Sequence, residues 1–160
     1  MRARLVTLVL VLLVAACGGG GDGADAEPGQ DTDPAPVSSA DLPDPCTLID
    51  DVILDGYFDT KPEPEPSGSG AFLSCSWSDE NADSILVSVA TSSKVNHPDP
   101  CPGCIDLSYG DDGYASSVPL QSSAEFVIGG TWFSVTTTGL GDGVEEIAAL
   151  GEKVSNAAGG

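Results

Sequence analysis

Residues 124–138, Ala-Glu-Phe-Val-Ile-Gly-Gly-Thr-Trp-Phe-Ser-Val-Thr-Thr-Thr, read as a β-hairpin. Two runs rich in aromatic and β-branched residues flank Gly129-Gly130, and such a pair accepts the positive φ angles that a two-residue hairpin turn demands. That turn sets Ile128 opposite Thr131 and Phe126 opposite Phe133. Ala124, Phe126 and Ile128 then share one face with Thr131, Phe133 and Val135. Downstream, Asp142 and Glu145 have capping-box spacing, with Asp in place of the usual Ser or Thr, and predict a helix over about residues 143–156. Its apolar stripe (Val144, Ile147, Ala148, Gly151, Val154) is thin, so the helix depends on packing against a sheet.

Upstream, Ala71, Leu73, Cys75 and Trp77 alternate with Phe72, Ser74 and Ser76 as in a half-buried strand. Ser78 to Asp83 is a polar turn, and Ser84 to Thr91 is the returning strand with Ile85, Val87 and Val89 on one face. Ile105 to Tyr109 and Ser117 to Leu120 are further strand candidates, with a turn signal at Asp111-Asp112-Gly113 between them. Lys61 to Gly70 (KPEPEPSGSG) predicts a loop, and Tyr57 to Thr60 a short strand. Asp44 as N-cap and Pro45 at the first helical position open a helix over about residues 45–55, with Leu48, Ile49, Val52 and Ile53 at helical spacing and Gly56 as its stop. The expected fold class is α+β: an antiparallel sheet of about four to six strands, covered by N- and C-terminal helices and stapled by disulfides.

Asp44-Pro45-Cys46 opening a helix, Cys75-Ser76-Trp77 on a strand, then a Gly-Gly hairpin and a terminal helix resemble a group of actinobacterial surface lipoproteins over roughly residues 43–157. Their shared domain has no assigned function, so the resemblance implies a fold and a location and carries no catalytic or binding residues. Cys101 and Cys104 fall outside the shared pattern.

The first residues agree with that location. Arg2 and Arg4 precede an apolar run from Leu5 to Ala16, interrupted only by Thr7, and twelve residues suit a secretory h-region better than a membrane-spanning helix of roughly 20. Val14-Ala15-Ala16-Cys17 resembles the lipobox of bacterial lipoproteins. The resemblance implies cleavage before Cys17, a diacylglyceryl group on its sulfur and acylation of its new amino group. Arg-Ala-Arg is not a twin-arginine pair, which favours the general secretory route. The expected organisation is a signal peptide (1–16), a lipidated Cys17 with an acidic Gly/Pro/Asp tether (17–40), and one domain (41–158). From Gly18 to Ala40 the only large aliphatic residue is Val37. Too little apolar surface is present there to offset ordering entropy, so a disordered tether reaching about 25 Å is expected.

Cleavage leaves three basic residues (Lys61, Lys94, Lys153) against 25 acidic ones, a net charge of −22 where the precursor has −20. So acidic a chain is repelled by nucleic acid and by anionic headgroups. The expected partners are the membrane, through the lipid on Cys17, and a cell-envelope protein or a small ligand.

With Cys17 taken by lipid, four cysteines remain for an oxidising compartment. The predicted elements favour Cys46–Cys75, joining the first turn of a covering helix to the inward face of a strand, which leaves Cys101–Cys104. A Cys-Pro-Gly-Cys motif is redox-active when its first sulfur caps a helix. Here Ile105-Asp106-Leu107 follows with strand alternation, and Asp99 and Asp106 would raise a thiol pKa. His97, Cys101 and Cys104, with Asp99 or Asp106, form a weak zinc set that thiol pairing would pre-empt. Asp79-Glu80-Asn81-Ala82-Asp83 begins like a calcium loop, but Ser84 and Ala90 occupy its glycine and bidentate-Glu positions. No G-x-S-x-G, phosphate-cradling loop or selected carboxylate pair is present, and no cofactor is implied. The expected function is a non-enzymatic binding or envelope-accessory domain. The alternative is a thiol-redox or metal-binding surface protein using Cys101 and Cys104.

Overall fold

The computed structural model describes residues 42–99 and 101–159. The expected signal peptide, the expected lipidation at Cys17 and the expected tether fall outside the described residues. Gly129 and Gly130 adopt φ of 55° and 81°, the left-handed pair that a type I′ hairpin requires. They join β6 (Gln121–Ile128) to β7 (Thr131–Thr138) in the expected register, Ile128 opposite Thr131 and Phe126 opposite Phe133. The two phenylalanine rings stack at 5.2 Å between centroids, which reinforces that register.

The sheet is larger than the sequence predicts. With β1 (Glu65–Ser69), β2 (Phe72–Ser78), β3 (Ser84–Thr91), β4 (Ile105–Asp106) and β5 (Asp112–Val118) it has seven strands, in the order β1-β2-β3-β7-β6-β5-β4, every neighbouring pair antiparallel. Directly opposed residues share a face. One row therefore runs Cys75, Val87, Val135, Ala124, Ala115 across five strands, each with no exposed surface. Trp77, Ile85, Val89, Phe126 and Phe133 flank it and complete the core face.

α2 (Val144–Ala157) lies on that face through Ile147, Leu150 and Val154. Burying each side chain contributes about 1.5–3 kcal/mol against an extended reference. The expected stripe missed Leu150 and Ser155, both buried. The capping box does not form either: Gly143 is the N-cap, and no side chain caps the helix. Glu145 and Glu146 in the first turn still complement the helix dipole.

The N-terminal covering helix is corrected. In place of one helix over 45–55 there is a 3₁₀ turn, Pro45–Thr47, and a single α-turn, α1 (Asp51–Leu54). Asp44 caps the first by accepting from the Cys46 N–H at 2.9 Å, as expected. Asp50 caps the second by accepting from the Ile53 N–H at 2.8 Å, and an Asp held as an N-cap restarts a helix rather than continuing one. The break lets Leu48, Ile49 and Leu54 all reach the core while Val52 stays 80% exposed. Tyr57–Thr60 forms turns and bends, not a strand, and the Lys61–Gly70 loop contains β1.

The link from β3 to β4 leaves the middle of the sheet and arrives at its far edge. It places Val95 against Tyr114, Val127, Trp132 and Cys104. Those sheet residues alternate with Ala115, Phe126 and Phe133, so the link covers part of the second face with a small apolar cluster of its own.

Candidate functional site

Of the residues singled out for chemistry, His97 and the Cys101–Cys104 pair lie on this second face, whereas Cys75 is in the core and Asp79 in the β2–β3 turn. Asp112 holds His97 there. The sequence reads Asp111-Asp112-Gly113 as a turn, but Asp112 and Gly113 open β5 and pair with Val127 and Phe126. One Asp112 oxygen takes His97 Nε2 at 2.8 Å and the other accepts from the Val95 N–H at 3.4 Å. His97 thus bonds to Asp112 and lies 5.1 Å from the Tyr114 ring between centroids. The hydrogen bond from His97 holds the Asp112 carboxyl below its usual range, with the Val95 N–H and the imidazole charge adding to it. Asp111 accepts from the Gly129 N–H at 2.9 Å, tying the start of β5 to the hairpin turn.

Cys101 and Cys104 are bonded to each other, as are Cys46 and Cys75, whose Cα atoms lie 5.1 Å apart. The Cys104 N–H donates to the Cys101 carbonyl in a tight turn, and the strand β4 follows. Without a helix N-terminus the pair lacks the dipole that makes such thiols acidic. The zinc set is not assembled, since His97 is held by Asp112 and both sulfurs are in the disulfide; no group of three or more metal-ligating side chains occurs among the described residues. Asp79 accepts from the Asn81 and Asp83 N–H groups and from the Asn81 amide, so its carboxylate shapes the β2–β3 turn.

Beside this cluster, sequence reading missed a second carboxylate site. Glu125 accepts from the Tyr114 hydroxyl at 3.2 Å and from the Trp132 indole at 3.3 Å. Burial, then the Glu125 charge, pushes the Tyr114 phenol up to about 12. Tyr114 is opposite Glu125 in the ladder, and Val127 opposite Trp132. The hairpin register alone places Glu125 and Trp132 on this face; Tyr114 needs the β5 pairing that the turn reading concealed. The arrangement holds two aromatic rings and a carboxylate in fixed positions. No family model, curated protein or solved structure matches the chain.

Proposed function

We propose that the chain is a lipid-anchored extracytoplasmic lipoprotein whose domain is a non-enzymatic binding or envelope-accessory module. The observation that carries this reading is the cysteine pairing. Two disulfides account for Cys46, Cys75, Cys101 and Cys104, and leave Cys17, at the end of a lipobox-like Val-Ala-Ala-Cys, as the odd cysteine. Paired cysteines fit an oxidising compartment, and an odd cysteine at a signal-peptide junction fits the thioether of a lipid anchor. The actinobacterial resemblance and the net acidity favour the same surface, where a strongly negative domain stays soluble and is kept off anionic headgroups.

Detergent-phase partitioning of the parent and of Cys17→Ala tests the anchor. The parent enters the detergent phase with a lipid mass on its N-terminal peptide, and the variant is released or mislocalised, because the acidic domain has no membrane affinity of its own. Equal partitioning of the two proteins refutes the lipobox reading.

A further inference from the structure

The turn between β5 and β6, Val118-Pro119-Leu120-Gln121, is built in a way the core does not require. Leu120 has φ of +72°, and Ala82 is the only other non-glycine residue with positive φ among the described residues. A branched side chain in the left-handed region costs about 1–2 kcal/mol that glycine would not incur. Burial does not offset it, since Leu120 is 77% and Val118 60% exposed. The strained backbone is nevertheless held in place: the Leu120 carbonyl accepts from the Gly139 N–H at 2.9 Å.

This turn walls a cavity of about 370 Å³, completed by Ser117, Ser122, Thr137 and Asp142. Its volume is near the lower end of small-molecule sites. Asp142 Oδ2 is buried with no hydrogen-bond partner among the described residues. The neighbouring hydroxyls do not serve it: their two hydrogens are shared between the Asp142 backbone carbonyl, 2.6 Å from Ser122 and 3.2 Å from Ser117, and the 2.9 Å contact between the two serines. An unmet buried carboxylate oxygen is costly, and the natural relief is a donor from outside.

We propose that this cavity binds a small primary amine. Its ammonium group meets the Asp142 carboxylate, and its alkyl body lies against Val118, Pro119 and Leu120. A carboxylate only accepts, and an ammonium brings three donors and no acceptor. The remaining donors find hydroxyl oxygens on Ser117 and Thr137. The contact requires Asp142 to turn so that Oδ2, which has no exposed surface, faces the cavity. Anionic ligands are repelled by Asp142, by Glu145 and Glu146 on the adjoining helix turn, and by the net charge of the chain. The proposal stands whether or not Cys17 carries lipid.

The test uses the full chain carrying Cys17→Ala, so that no acyl chain competes for an apolar probe. n-Butylammonium, n-butanol and butyrate are titrated at matched ionic strength, following the backbone amide resonances of Leu120, Ser122 and Asp142. n-Butylammonium shifts all three saturably, n-butanol binds at least tenfold more weakly, and butyrate has no effect. Asp142→Asn weakens n-butylammonium at least tenfold and leaves n-butanol unchanged. Leu120→Gly, free of strain at this φ, does not lower the urea midpoint and still weakens the amine. Equal binding of n-butanol and n-butylammonium, an unaltered Asp142→Asn affinity, or no saturable shift overturns the proposal. Should Asp142→Asn fail to fold, the three probes and Leu120→Gly decide it.

Discussion

Gly151 lies in the middle of α2, where replacing glycine by alanine ordinarily stabilises a helix by about 0.5–1 kcal/mol. Here the reverse is expected. A Cβ on Gly151 would run into the Tyr109 hydroxyl and stand 3.0 Å from the Ala124 Cβ, which belongs to the fully buried central row of the sheet. Tyr109 cannot simply move aside, because its hydroxyl donates to the Ala148 carbonyl at 2.8 Å and its ring packs edge-on against Phe126. Overpacking costs about 1–3 kcal/mol. Losing the hydrogen bond adds about 1 kcal/mol, and the propensity gain returns about 1 kcal/mol. Gly151→Ala is therefore expected to destabilise by about 1–3 kcal/mol, read from urea midpoints at an unchanged slope. In a double-mutant cycle, Tyr109→Phe removes the obstructing oxygen, so the two changes together should cost less than their sum. A Gly151→Ala protein as stable as the parent, or a cycle with no coupling, would refute the close approach of helix to sheet at this point.

The two disulfides should differ in weight. Removing Cys46 and Cys75 together opens a loop of 29 residues and is expected to cost on the order of 2–5 kcal/mol, whereas Cys101 and Cys104, three residues apart, should cost much less; urea midpoints of the two double Cys→Ala variants give the order. Because the folded Asp112 carboxyl is held below its usual range, its contribution is present above about pH 4 and is lost as pH falls through the folded value. A protection factor of the Val95 amide that falls under acid, and no longer does so in Asp112→Asn, would show it. The Tyr114 phenol should titrate at about 12, so its contribution is complete below about pH 10 and is lost as pH rises toward 12. The tyrosinate absorbance missing from Tyr114→Phe measures this directly, and Glu125→Gln should bring the midpoint down.

What the sequence disclosed, and what it hid, divides by how local the determining interaction is. The Gly129-Gly130 hairpin, β2 and β3 were legible because side-chain alternation and turn chemistry agree within a dozen residues. β1 was not. All five of its residues are exposed, and it is held as an edge strand by backbone pairing with β2, for which Pro66 and Gly68 give no signal. The first helix failed at Asp50, where an N-cap side chain competes with the helical pattern of Leu48, Ile49, Val52 and Ile53. The predicted elements favour the cysteine pairing that the structure has, although Cys46 lies on a 3₁₀ turn and not on the expected helix. The Tyr114–Glu125 and Val95–Asp112 contacts could not be deduced, since they depend on β5 starting at Asp112 and on a link that returns over the sheet from seventeen residues away.

The strand order also dictates when this domain can assemble. β7, last of the strands in the chain, lies between β3 and β6. Until residues 131–138 are in place, β1–β3 and β4–β6 are two separate meanders with no sheet hydrogen bonds between them. Each would present one raw edge, β3 or β6, ready to pair with another molecule. Assembly is thus late and rich in contacts between distant parts of the chain, the kind of topology that folds slowly. A chain synthesised from its N-terminus has no complete sheet to fold into before Thr138 emerges. Truncation just short of Thr131 should yield an aggregating protein in place of a smaller folded one.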